Sequence, residues 1–443
     1  MTMQARRRWL RGTIDDPGNG ATIAIVTISR LVAVGALAAA AAGCSGPQVE
    51  VRGRFEVANA PAVDVRVVAQ GEHRRDAPRY LRGAVSCLAT VRPWLGPSPE
   101  ASVTIVDPPW HASTAADSSV VTLPETRWWS LPTAMAPELA AARAIARRRW
   151  TTALDVKALP SWFTAGLIEY TARRAVIPLF QGDNLPPGYA MLEQRYFDAF
   201  VPWFVRIRLL PEADGDPMPA YRANPRADAA APPTLESERS LTAKTVLTLN
   251  TLERWVGQPA FDSVLAEFVR AFRAGRPTIG DFTRVASATT GQDLSWLLDQ
   301  TLGASVVFDY AVSDLTSVPN AAGGFDTIVV VERLGDGVFT GSSAPRVGPF
   351  ESGRGVSVVV TFESGERAVN AWDGRETRKT FAYRSASRAS AVVLDPERII
   401  LLDTHRTNNS RGIAPQNAAE ASRWAARWML WLESVLLTYG VFV

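Results

Sequence analysis

Three histidines (His73, His111, His405) and two cysteines (Cys44, Cys87) are the whole imidazole and thiol inventory of this 443-residue chain. Those side chains supply most metal ligands, nucleophiles and general bases that work near neutral pH. The sequence has no Gly-x-Ser-x-Gly turn, and no Ser, Cys or Thr has a recognisable base beside it. The remaining candidates are charged residues set among small and aromatic ones. One segment runs Glu138-Leu-Ala-Ala-Ala-Arg-Ala-Ile-Ala-Arg-Arg-Arg-Trp150. A second runs Leu159-Pro-Ser-Trp-Phe-Thr-Ala-Gly-Leu-Ile-Glu-Tyr170. Arg143 has donors only and cannot act as a base. It can bind a carboxylate, and an unpaired guanidinium is costly to bury. Glu169 is the first candidate partner and Glu138 the second.

Both segments read as helices, and their layout resembles the gluzincin metallopeptidases of the aminopeptidase-N family. There one helix carries His-Glu-x-x-His, and a second supplies a glutamate ligand within Trp-Leu-Asn-Glu-Gly-Phe-x-Glu-Tyr. Trp162, Gly166, Glu169 and Tyr170 match that second motif. The resemblance implies that the three zinc-ligand positions fall on Ala142, Ala146 and Ala165, and the general-base position on Arg143. A further stretch, Leu241-Thr-Ala-Lys-Thr-Val-Leu-Thr-Leu249, is similar to the family's Tyr-x-Lys-Gly-Ala-x-x-Leu helix. It keeps Lys244 but has Thr242 where the tyrosine would stand. The segment Trp110 to Ser119 lacks the family's Gly-x-Met-Glu-Asn strand and its substrate-amine glutamate. Zinc hydrolysis needs three protein ligands, an open position for water and a base. Alanine has no lone pair to give, so the resemblance implies a pseudopeptidase with no zinc and no cofactor.

The N-terminus reads as an export signal. Arg6, Arg7, Arg8, Arg11 and Arg30 flank an apolar run of thirteen residues from Leu31 to Gly43. That length is short for a membrane span and suits a signal peptide's apolar region. The run ends Ala41-Ala-Gly-Cys-Ser45, which resembles a bacterial lipobox with Ala41 where Leu is preferred. Cys44 is then the lipidation site and the first residue of the mature chain, placing the protein on the extracytoplasmic side of a bacterial cell envelope. With Cys44 lipidated, Cys87 stands alone, so neither a disulfide nor a cysteine metal site forms within the chain. The net charge of +3 and the nearly lysine-free Arg content give no stacking-plus-basic pattern, so nucleic acid is not an expected partner.

The elements that must hold these residues give an α+β chain. The expected order is a signal peptide over 1–44, a short β-rich remnant over 45–77 and a thermolysin-like gluzincin domain with helical extension over 78–303. A β-sandwich over 304–406 and an amphipathic terminal helix over 415–443 follow. Within 78–303, helices are expected over 78–94, 136–150, 161–174 and through 242–303, as in Phe261–Phe272, with a strand over 101–107 and an irregular, Pro-rich excursion over 175–240. Strands are expected at Ser305–Val312, Asp326–Arg333, Gly355–Phe362, Lys379–Tyr383, Ser390–Leu394 and Ile399–Asp403. The tail sets Trp424, Trp428, Trp431, Val435 and Tyr439 along one helical stripe. That stripe suits either a membrane surface or docking on the protein's own core. Three functions follow from this reading: an inactive metallopeptidase-like lipoprotein that binds a protein or peptide, an accessory subunit of a membrane complex, or a hydrolase with a non-zinc mechanism.

Overall fold

The computed structural model describes residues 49–56, 61–69, 71–106, 120–122, 135–180, 216–232, 234–273, 275–341 and 355–413, with Ala425 and Met429. The mixed helix-and-sheet character agrees with an α+β class. The chain divides into two compact units. One is Met1–Asp216 with Leu265–Thr278, and the other is Pro217–Val264 with Ile279–Val443.

The first unit begins with a sheet ordered β1 (Val49–Phe55), β2 (Val63–Ala69), β3 (Ser102–Val106), β4 (Val120–Thr122). β1 and β2 are antiparallel, and β2–β3 and β3–β4 are parallel. Strand alternation buries Val51, Gly53 and Phe55 and exposes Arg52 and Arg54. Helix α1 (Ala77–Leu95) packs on this sheet, and an added Cβ at Gly53 would lie 3.0 Å from the Leu81 methyls. Helices α2 (Ala136–Ala153) and α3 (Ser161–Val176) complete the layer. α1 and α2 approach so closely at Gly83 that a Cβ there would lie 2.3 Å from the Glu138 carbonyl oxygen. Trp150 donates its indole N–H to Thr171 Oγ1 at 3.0 Å, and Ser86 Oγ donates to the Ala175 carbonyl at 2.6 Å. The Trp94 and Tyr170 rings stack with centroids 6.5 Å apart. Each fully buried large apolar side chain here contributes roughly 1.5–3 kcal/mol.

The second unit opens with α4 (Pro217–Ala223) and α5 (Leu235–Val256). Thr234 and Ser237 form a reciprocal cap that starts α5. Gly257, at φ +88°, ends it. α6 (Gln258–Phe272) is divided between the units, its residues from Leu265 on being counted with the first. α7 (Ile279–Thr290) and α8 (Ser295–Leu298) belong to the second, the last continuing into a π-helical turn over Asp299–Gly303. The rest is antiparallel sheet. One sheet is β5 (Tyr310–Pro319), β6 (Phe325–Arg333) and β9 (Arg378–Ser385). The other is β8 (Arg367–Trp372), β7 (Val356–Phe362), β10 (Ala389–Leu394) and β11 (Ser410–Gly412). Side chains join the two sheets. The Tyr310 and Trp372 rings meet edge-on at 5.5 Å, and the Ala389 amide donates to Ser317 Oγ at 3.2 Å.

Several elements depart from the sequence reading. Residues 235–240 are helical, because the Thr234–Ser237 cap starts α5 inside a charged stretch that carries no apolar period. The strand expected at Ser305–Val312 instead begins at Tyr310 and runs to Pro319. Ile399–Asp403 is no strand. Asp395 and Arg398 turn the chain at φ +46° and +54°. The Asp395 carboxylate then accepts from the Ile399 and Ile400 amides, both at 2.8 Å, so these amides are satisfied by a side chain rather than a ladder. β8 and β11 carried no alternating signal, and β8 is an exposed edge.

Candidate functional site

α2 and α3 place most of the candidate residues. The methyls of Ala142 and Ala146 are fully buried, one helical turn apart on the same face of α2. Ala165 is half-buried on α3. Between the two helices, Arg143 Nε donates to Glu169 Oε2 at 2.5 Å, and Arg143 Nη2 donates to Glu169 Oε1 at 2.7 Å. This is the two-point fit of a planar guanidinium to a carboxylate. The side chains are 37% and 19% exposed, so the pair sits at the edge of the helical layer.

Glu138, the second partner considered for Arg143, is engaged elsewhere. Its side chain is fully buried and accepts three hydrogen bonds from α1. Arg79 Nε and Nη2 donate at 2.9 and 2.7 Å, and Arg82 Nη2 at 2.5 Å. It stands in the first turn of α2, where the helix dipole also favours an anion. Arg79 and Arg82 carried no distinguishing signal in the sequence, beyond standing three residues apart on a helix.

Trp162, Gly166 and Tyr170, the other matched positions, are buried along α3. Thr242 and Lys244 belong to the second unit, on α5. Thr242 is half-buried, and Lys244 is 2% exposed. Lys244 Nζ donates to the Ala304 carbonyl at 2.9 Å, just past the π-helical turn, where a cation complements the helix end. Burial pushes its ammonium down to about 8. Cys44 and the Trp110–Ser119 segment lie outside the described residues, as does the terminal helix except Ala425 and Met429. No described helix is long and apolar enough to cross a membrane. Cys87 is a fully buried thiol on α1, raised to about 12 by desolvation, and so is inert as a nucleophile at neutral pH.

One arrangement was not legible in sequence. In the second unit, His405 Nδ1 lies 2.8 Å from Asp309 Oδ2, and Asn408 Nδ2 donates to Asp309 Oδ1 at 2.9 Å. The imidazole is 68% exposed, and the carboxylate is 14% exposed. Asp309 and His405 are 96 residues apart, so only the folded chain shows the pair.

No family model and no curated protein matches the chain. Among solved structures, it is similar to an aminopeptidase A of Legionella pneumophila, determined in complex with aspartic acid. Identity is 12% and the TM-score 0.48, over 81% of this chain and 38% of that one. The chain thus spans well under half the length of that protein.

Proposed function

We propose that the chain is a catalytically inactive gluzincin-like protein, tethered to a bacterial envelope through Cys44 and used in binding or assembly. The observation that carries this reading is the Arg143–Glu169 pair beside three alanines. Where the family places two imidazoles and a carboxylate, α2 and α3 present methyl groups. Where it places a base, they present a guanidinium already committed to an acid. The residues present do not fit zinc, because neither alanine nor arginine offers a lone pair to the ion. The Trp-rich tail and the C-terminal sheets are the surfaces proposed to meet the membrane or a protein partner.

A second reading, a hydrolase with a non-zinc mechanism, rests on the Asp309–His405 contact. A carboxylate fixing Nδ1 leaves Nε2 as the working nitrogen of a base.

One preparation of the purified mature protein tests these readings together. The proposal expects far less than one zinc per chain and no peptide turnover, with lipid labelling abolished by Cys44→Ala. One tightly bound zinc, lost on substituting residues of α2 or α3, would overturn it. Metal-free turnover abolished by His405→Gln would establish the second reading instead.

A further inference from the structure

We propose that a hollow in the first unit, between β2, the C-terminal end of α1 and α2, binds a carboxylate carried on a short apolar body. The hollow is shallow and partly open to solvent, and its enclosed part is only water-sized. Phe55, Val63, Leu88 and Pro97 give it apolar walls, and Arg92 and Arg149 supply its charge.

Arg149 is only 6% exposed. Its Nη2 donates to the Gly96 and Pro97 carbonyls at 2.7 and 3.0 Å, which fixes the guanidinium. Its Nε is buried with no hydrogen-bond partner. An orphaned donor on a buried cation is costly, and because this Nε is closed to solvent, a ligand oxygen relieves that cost only where the guanidinium turns towards the hollow. The Arg92 side chain is half-buried on the rim and has no ion-pair or hydrogen-bond partner among the described residues, while its backbone carbonyl accepts from the Gly96 amide at 2.9 Å. Glu100, the carboxylate whose charge acts on Arg149, is engaged by Arg148 Nε at 2.9 and 2.7 Å and by Arg148 Nη2 at 2.5 Å. It adds only a through-space field at Arg149, and Arg273 opposes that field. The hollow therefore carries uncompensated positive charge above apolar walls.

Those features select the ligand class. Two arginines favour an oxyanion. The water-sized depth admits one planar carboxylate edge more readily than a bulkier phosphate. The apolar walls gain only from a ligand that brings hydrocarbon with its charge. The site is separate from the Arg143–Glu169 pair. Arg149 follows Arg143 by six residues, roughly 240° around the helix, so the two side chains leave α2 on different faces.

The test is thermal unfolding and calorimetry of the purified full chain with butyrate, acetate, phosphate and chloride at matched ionic strength. Butyrate should raise Tm saturably, acetate less, and phosphate and chloride not at all. Arg92→Gln, checked for an unchanged Tm without ligand, should weaken butyrate binding by about tenfold or more. If Arg92→Gln does not fold, Arg92→Lys retains the charge without the planar fork and should still weaken it. An equal response to all four anions would overturn the proposal. So would butyrate binding that is indifferent to the folded Arg92 variant.

Discussion

Glu138 and Arg143 stand five residues apart on α2, and each meets its opposite charge through paired hydrogen bonds. Glu138 is wholly buried beneath α1 and takes both Arg79 and Arg82. Arg143 is 37% exposed and takes Glu169 from α3. The chemistry is the same, and the surroundings differ. Water screens the second pair and can rehydrate either partner if the other is lost. Beneath α1, a guanidinium that loses its acid has much less water to turn to. The comparison teaches that burial, more than bond length, sets how much each contact matters to the fold.

The largest expected effect is therefore at Glu138. Glu138→Gln keeps the shape but removes the charge facing two arginines, one of which already has a buried Nε without a partner. The expected loss is about 3–5 kcal/mol, the range for breaking a buried ion pair by removing one member. The midpoint of urea unfolding measures it. A loss below about 1 kcal/mol would mean that water reaches the site, and the distinction between the two contacts would fail.

Asp395 sharpens the comparison, because it is a buried carboxylate with no guanidinium bonded to it. It is 9% exposed and accepts from the Ile399 and Ile400 amides. Desolvation raises it from 3.8 to about 6, against the pull of those two amides and of the nearby Arg406 charge. The folded state then binds the proton more tightly than the unfolded one. Stability from this group is fully present below about pH 4 and is lost as pH rises towards 6, by on the order of 2–3 kcal/mol at most. Asp395→Asn should flatten that part of the stability–pH curve relative to the parent chain. A curve unchanged by the substitution would show that the amides outweigh burial.

The main helices and most strands were legible because apolar spacing and turn residues mark them. Phe261, Val264, Leu265, Phe268 and Phe272 recur at helical spacing; the first four are buried and Phe272 is half-buried. Ile399–Asp403 misled because its apolar run looks like a strand, while the signal that forbids one is a carboxylate four residues earlier. The start of α5 was missed because its cap lies in side-chain hydroxyls rather than in hydrophobic period. At the site, spacing offered Arg143 two acids. The structure gives it Glu169 and gives Glu138 to α1, which approaches α2 closely at Gly83, 55 residues before Glu138 in sequence. Asp309 and His405 meet only through the β5 and β10–β11 ends, and no local pattern announces them.

The smallest expected effect is at the Arg143–Glu169 pair. Arg143→Met and Glu169→Gln, with their double variant, form a cycle that isolates the coupling between the two side chains. Partial exposure on both sides sets the expected coupling at about 0.5–1 kcal/mol. Bidentate geometry favours the upper end of that range. The single variants should each cost little, since a guanidinium or carboxylate left behind on this edge is reached by solvent. Salt provides a second reading of the same cycle. The coupling should shrink between low salt and 1 M, where the screening length falls to about 3 Å. A coupling above about 3 kcal/mol that ignores salt would place Arg143 in an environment as dry as that of Glu138. The two contacts on α2 would then be alike in strength as well as in chemistry.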